Sequence, residues 1–343
     1  MATLTSASTF FRRTFTKIIL AGLAIIVFFI VINFGKNLIN SIFPPPPAPT
    51  TVAFGKLPKL DLSSGITYAP STIFNVQTIS GNIPNLATTA KVFTVRGPRF
   101  AFGVLDQAQQ KAKNAGFDDQ SVGVIEGKAK FVDPKDKNRV LVMETATGNF
   151  ELQSDFASQQ EIIATRPKSQ EDAKRRAIDF FRIFGISEKD FPQDKITSTY
   201  YKVDAGKLVE TASLSDANLV QIIFNRAEID SLAVIYLNAA NPSVRALAAD
   251  QKIVAANYSP IDIQKHKFAT YPLKNASAAF EDLKNGRGVF NKKIDGKVFT
   301  IRNVRLGYLQ TNKFQSFLMP VYIFESDNGL AAYVGAVSDL WVQ

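Results

Sequence analysis

Few side chains in this sequence are suited to chemistry, and their spacing excludes most of it. His266 is the single histidine, set between Lys265 and Lys267, and there is no cysteine. Without Cys there is no thiol nucleophile, thiolate zinc site or iron–sulfur cluster. One His cannot build a multi-histidine metal site, and no neighbouring serine and acid complete a Ser-His-Asp relay. Ser326-Asp327-Asn328 matches one element of penicillin-binding enzymes, but S-x-x-K and K-T-G are both missing. The Asn328-Gly329 pair reads instead as a tight turn. Gly123-Val124-Ile125-Glu126-Gly127-Lys128 is one residue short of a P-loop, and Ala129 stands where a magnesium-binding hydroxyl belongs. Asp133-Pro134-Lys135-Asp136 lacks EF-hand spacing. Gly286-Arg287-Gly288 is too short for a dinucleotide fingerprint and follows a helical pattern.

Carboxylates and aromatic rings remain. Two of the 30 acids would suffice for a glycosidase, but nothing in their spacing singles out a pair. Tyr200, Tyr201, Tyr308, Tyr322 and Tyr333 fall in strand-like runs, where they pack a sheet or line a sugar or peptide groove. Trp341, the only Trp, either pins the last segment to a core or meets a partner. No catalytic residue, metal ligand or cofactor is assigned, and the protein is expected not to be an enzyme.

The composition is that of a folded protein: 46% hydrophobic and 20% charged, with 28 Phe to fill a core. The net charge is +10 over 343 residues. Arg12, Arg13, Lys17 and Lys36 supply +4 before residue 44, with no acid among them. The excess beyond is spread out, with no dense basic run, so no nucleic-acid partner is expected. A cysteine-free outer domain of this size points to a bacterial or archaeal envelope.

Residues 18–32 are apolar throughout apart from Gly22. A helix of about 20 residues over 15–34 spans a hydrocarbon core of about 30 Å. Arg12, Arg13 and Lys17 precede it and only Lys36 closely follows, which sets the N-terminus in the cytoplasm. No A-x-A-like site follows, so the segment reads as an uncleaved anchor. Phe11-Arg12-Arg13-Thr14-Phe15-Thr16-Lys17 also resembles a twin-arginine export motif. Pro44 to Pro47 and Pro49 form a stiff spacer.

Beyond the spacer, apolar spacing predicts helices over 104–115, 170–184 and 276–285, the second opened by Ser169 and closed by Gly185. Turn signals at 147–149, 204–206, 295–296 and 328–329 separate strand-like runs, and 219–229 and 232–237 read as a further pair. The expectation is an α+β fold: an N-terminal transmembrane helix, then antiparallel-sheet lobes made of helix-plus-hairpin units. The corresponding division is a cytoplasmic tail 1–17, the transmembrane helix and its extension 18–43, a Pro-rich linker 44–60, and outer lobes 61–165 and 166–343.

The single span, the linker and the helix-plus-hairpin units resemble PepSY-type modules of bacterial envelope proteins. Leu306-Gly307-Tyr308, Leu318-Met319-Pro320-Val321-Tyr322-Ile323-Phe324 and Ala332-Tyr333-Val334-Gly335-Ala336-Val337 are similar to the terminal hairpin of the YycI/YycH regulators. The Pro-rich linker with Phe54-Gly55-Lys56-Leu57-Pro58 resembles uncharacterised single-pass membrane proteins of bacterial lineages. These resemblances imply a membrane-anchored, extracytoplasmic interaction or regulatory module without chemistry of its own. Its partner would be another envelope protein, its membrane contact residues 18–34. Leu306, Tyr308, Gly329, Leu330 and Trp341 are the candidate partner contacts. Two alternatives stand beside this reading. A cleft holding two carboxylates about 5–10 Å apart would favour a cell-wall or glycan hydrolase. A tyrosine-lined cleft without such a pair would favour a glycan- or peptide-binding module.

Overall fold

The computed structural model describes residues 49–98, 101–120, 123–238 and 242–343. The expected cytoplasmic tail, the expected span at 18–34 with its extension to 43, and the first four linker prolines lie outside the described residues. Among the described residues, no helix is long and apolar enough to cross a membrane.

The expected α+β class is overturned. The chain is mostly β, and its strands gather into several sheets in place of repeated helix-plus-hairpin units. Turn signals report only pairings between chain neighbours, whereas much of this architecture is long-range. Two pairings are parallel: Ile73–Val76 with Val298–Ile301, and Val234–Tyr236 with Asn303–Gln310. Parallel pairs need long crossovers that no turn residue announces. The two apolar runs at 219–229 and 232–237 part company. Leu219–Phe224 and Val234–Tyr236 enter different sheets, and only the bridge Ile229–Leu232 joins their flanks.

A nine-stranded antiparallel sheet runs in the order Gly123–Ile125, Lys128–Asp133, Asp136–Glu144, Phe150–Gln153, Ile253–Tyr258, Val244–Ala248, Leu219–Phe224, Ile196–Asp204, Lys207–Thr211. Strands from both sides of residue 166 therefore share it. Two helices, Val104–Asn114 and Gln170–Phe184, bury their apolar stripes on one face. The second starts where the Ser169 hydroxyl accepts from the Asp172 amide at 3.0 Å, and stops at Gly185, whose φ of 89° suits a residue without Cβ. Its buried face presents Ala173, Ala177, Phe180, Phe181 and Phe184, with Phe181 edge-on to Phe224 and Phe184 4.0 Å from Phe150 between ring centroids. Each such ring contributes about 1.5–3 kcal/mol by leaving water.

The seven-stranded sheet joins Val234–Tyr236, Asn303–Gln310, Phe317–Glu325, Ala331–Gly335 and Val289–Phe290 in that order. Thr89–Arg96 links it to Asp262–Pro272. The helix Ala276–Lys284, capped by the Asn275 side chain, packs on Phe290, Phe299 and Phe324. The segment leading in from residue 49 is held to this sheet. Leu57 is fully buried, its amide donating to the Trp341 carbonyl at 2.8 Å, and Tyr271 donates to the Gly55 carbonyl at 2.8 Å.

Residues from Pro49 to Gln343 make one compact unit. Ile253–Tyr258, of the nine-stranded sheet, is separated from Asp262–Pro272, of the other, only by Ser259, Pro260 and Ile261. At that crossing a cleft opens between the sheets.

Candidate functional site

The cleft has a volume of about 550 Å³, within the range of small-molecule sites. One wall comes from the nine-stranded sheet: Glu144, Thr147 and Asn149 at a hairpin turn, with Ser243 and Asn257. The other comes from the seven-stranded sheet: Arg96, Gly97, Tyr236 and the loop from Gln310 to Phe314.

A lattice of side-chain to backbone bonds fixes the floor. The Asn257 amide nitrogen donates to the carbonyls of Pro242 at 3.1 Å and Ser243 at 3.2 Å. The Ser259 amide donates to the Ser243 carbonyl at 2.7 Å. Gln310 Nε2 donates to the Ser259 carbonyl at 3.0 Å and so joins the two sheets. Beneath lies Arg226, its side chain 3% exposed, donating to the Ile261 carbonyl at 2.8 Å and stacked 4.7 Å from the Phe191 ring centroid. Asp190 supports it at 3.8 Å and also pairs with Lys265 at 2.8 Å. Burial raises the Asp190 carboxyl, but the Lys265 bond and the charges of Arg226 and Lys265 outweigh burial and hold it below the usual carboxylate range.

Four buried polar atoms gather here without a hydrogen-bond partner in the protein: Tyr236 OH, Ser243 Oγ, Gln310 Oε1 and Arg226 Nε. Tyr236, Ser243 and Gln310 line the cleft, so their oxygens lie just beneath its surface. Ser243 and Gln310 are 5% and 4% exposed. Burial pushes the Tyr236 phenol up, and the nearby Ser243 hydroxyl and Arg226 charge temper the rise, although no bond of normal geometry links the two hydroxyls. Burial pushes neighbouring Tyr258 up to about 12. These phenols are neutral hydrogen-bonding groups at physiological pH. Native interiors leave few polar groups unpaired, because each costs about 1–3 kcal/mol. Seven buried side-chain atoms are unpaired among the described residues, and three of them belong to residues that line this cleft.

The cleft's charges are already committed. Arg96 meets Asp262 at 3.3 Å, and Lys313 meets Asp61 at 3.0 Å. Bonds from Ser63 and Lys313 hold Asp61 down to about 2. Glu144 accepts from the Thr147 hydroxyl at 2.6 Å. Phe314, by contrast, stands 61% exposed at the lip. Buried Gln315 shapes its loop: its carbonyl oxygen accepts from the Thr311 amide at 2.8 Å, and its amide donates to the carbonyls of Leu309 at 3.1 Å and Phe317 at 3.0 Å. The arrangement holds hydrogen-bonding side chains in place along the cleft. Among the described residues nothing hydrogen-bonds the Ser243 hydroxyl, and no three of His, Asp and Glu converge on a metal-sized position.

The five residues read from the sequence as partner contacts are distributed differently. Leu306 is 8% exposed and shares a core cluster with half-buried Leu330. Tyr308 is 1% exposed, belongs to another cluster, and donates to the Lys91 carbonyl at 3.0 Å. Gly329 lies at the exposed turn between Phe317–Glu325 and Ala331–Gly335, its carbonyl accepting from Asn291 at 2.8 Å. Trp341 is half-buried, edge-on to Tyr271 in a third cluster. His266 sits exposed where the register of Asp262–Pro272 shifts, between Ile263 and Phe268. The glycines of 123–128 shape a hairpin, with Glu126 and Gly127 both at positive φ. Asp133 pairs with buried Arg139 at 2.8 Å.

None of the floor residues was singled out in the sequence. Gln310 offered the one usable signal, a polar side chain closing the otherwise apolar run Leu306-Gly307-Tyr308-Leu309. Arg226, Tyr236 and Ser243 are ordinary in their local contexts, and only the meeting of the two sheets groups them.

No protein-family model and no curated protein matches the chain. Among solved structures, an uncharacterized protein from Eubacterium rectale ATCC 33656 is similar at 11% identity and a TM-score of 0.36, over 76% of this chain and 87% of that one. The Bacillus megaterium YpeB C-terminal domain is similar at 12% identity and a TM-score of 0.32, over 71% of this chain and 95% of that one. At these identities and TM-scores the likenesses place the chain in no family and give it no role.

Proposed function

We propose that the protein is a non-enzymatic binding module of the cell envelope, attached to a membrane through residues 18–34, and that the cleft between its two sheets is its ligand site. The observation that carries this reading is the group of buried, unpartnered oxygens of Tyr236, Ser243 and Gln310 along one cleft. Polar groups kept at a cost to stability in one place are accounted for by a ligand that pairs with them. A catalytic reading is less well supported. The acids lining the cleft, Glu144 and Asp262, already hold Thr147 and Arg96, and the Asp262 side chain is 58% exposed. Glycoside hydrolysis needs one carboxyl enclosed as a proton donor.

The test is equilibrium dialysis of the purified full-length protein against a polar extract of bacterial envelopes, read by mass spectrometry. The wild type is expected to enrich a defined species that the Tyr236→Phe/Ser243→Ala double variant does not. Because that variant removes unpartnered hydroxyls, it should melt at the wild-type temperature or above. Equal enrichment by both proteins, or none by either, rejects the cleft as the site. Turnover of the captured species, abolished by Glu144→Gln or Asp262→Asn, rejects the non-enzymatic reading.

A further inference from the structure

We propose that the cleft takes a neutral, hydroxyl-rich saccharide and that Phe314 is its stacking platform; this rests on the cleft being the ligand site. The first argument is the chemistry of the unpartnered atoms. Gln310 Oε1 can only accept a hydrogen bond, while the Tyr236 and Ser243 hydroxyls can both donate and accept. A sugar hydroxyl also does both, so a row of them satisfies this mixed set. A carboxylate or phosphate, which only accepts, would leave Gln310 Oε1 facing another acceptor.

The second argument is charge. An anion site needs an uncommitted cation, and each cation at this cleft is held within the protein. Arg96 is paired with Asp262, Lys313 with Asp61, and Arg226 is sealed below the floor by Ile261 and Asp190. Arg226 is buried, so freeing it would cost much of what a new ionic contact returned, while the exposed Arg96 and Lys313 pairs leave only weak, solvent-screened cations at the rim. The cleft is thus rich in polar groups and poor in net charge.

The third argument is the lip. Phe314 is 61% exposed, which is costly for a phenyl ring, yet Gln315 spends four hydrogen bonds shaping its loop. The ring lies beside Gly97, where even an added Cβ would come within 3.6 Å of it. A sugar ring has one face of C–H groups, whose weakly positive hydrogens suit the negative face of an aromatic ring. Hydroxyls directed at the floor and a C–H face directed at the lip match the two halves of this site.

The experiment is isothermal titration calorimetry on the full-length protein with three probe sets of similar size: neutral glucose- and N-acetylglucosamine-based oligosaccharides, an oligogalacturonate, and an uncharged Gly-Ser peptide. At least one neutral oligosaccharide is expected to bind saturably, with an affinity that barely changes with salt. Phe314→Ala should weaken it about tenfold or more, and Phe314→Trp should restore it, since Trp offers a larger face. Ring exposure makes both variants safe for folding, which circular dichroism would verify. Preference for the oligogalacturonate overturns the neutral-ligand assignment, preference for the peptide overturns the saccharide assignment, and binding unchanged in Phe314→Ala overturns the stacking platform; each leaves the cleft reading standing. If no probe binds and the envelope extract also yields nothing, both fail together.

Discussion

Gln310 Nε2 donates to the carbonyl of Ser259 at 3.0 Å, and this bond ties the end of one sheet to the link leaving the other. The same side chain leaves its Oε1 unpaired. One amide therefore closes the floor of the cleft with its nitrogen and keeps an unused acceptor beside it. Gln310→Met would lose the bond, at about 1 kcal/mol, and regain part of that by removing the unpaired oxygen. The expected net loss in urea unfolding is below about 1 kcal/mol, with the midpoint shifted and the slope unchanged. A loss above about 3 kcal/mol would mean that Gln310 serves the fold alone.

Gly307 sits where the parallel pair Val234–Tyr236 and Asn303–Gln310 leaves little room for a side chain. A Cβ there would lie 2.6 Å from Ile323 Cδ1 and 3.1 Å from the Ala233 carbonyl, which is backbone and cannot rotate away. Gly307→Ala is expected to destabilise the chain by about 1–3 kcal/mol through overpacking. Urea unfolding beside a surface Gly→Ala control would measure this, and an unchanged midpoint would contradict the close pairing of Val234–Tyr236 with Asn303–Gln310.

Gly329 turns the hairpin at φ 69°, with open space around it. The cost of a side chain there is conformational. Gly329→Val should destabilise by about 1–2 kcal/mol and Gly329→Asn by clearly less, because Asn tolerates the left-handed region. Equal losses for the two, compared by thermal melting, would point to a steric cause.

Asp190 makes stability depend on acid. Its carboxyl is held below the unfolded value of about 3.9. The stability it contributes is therefore present above that value and lost as pH falls through the lower folded one. Asp190→Asn should lower the melting temperature at pH 7, because it strips the counter-charge from buried Arg226. The gap between wild type and variant should then narrow as pH drops below about 4. Parallel melting curves across that range would show that Asp190 contributes nothing through its charge.

What could be read from the sequence was local. The helices Val104–Asn114, Gln170–Phe184 and Ala276–Lys284 follow from apolar spacing, with Ser169, Gly185 and Asn275 at the ends of the latter two. The turns at Asp204-Ala205-Gly206 and Asn328-Gly329 follow from Gly206 and Gly329, which reach positive φ cheaply. These are interactions among residues a few positions apart, where composition alone carries the free energy. The sheets were not decided there. Phe150–Gln153 finds Ile253–Tyr258 about a hundred residues on, and Ile73–Val76 finds Val298–Ile301 further still. An apolar strand pairs acceptably with many others, and the packing of the whole core selects among them. The cleft belongs to this second kind of information. Arg226, Tyr236, Ser243, Asn257 and Gln310 come from separate strands and links, and each has a local sequence that suits an ordinary strand or loop residue. They become a site only because the two sheets meet at Ser259, Pro260 and Ile261, a relationship set by tertiary packing and by no spacing along the chain.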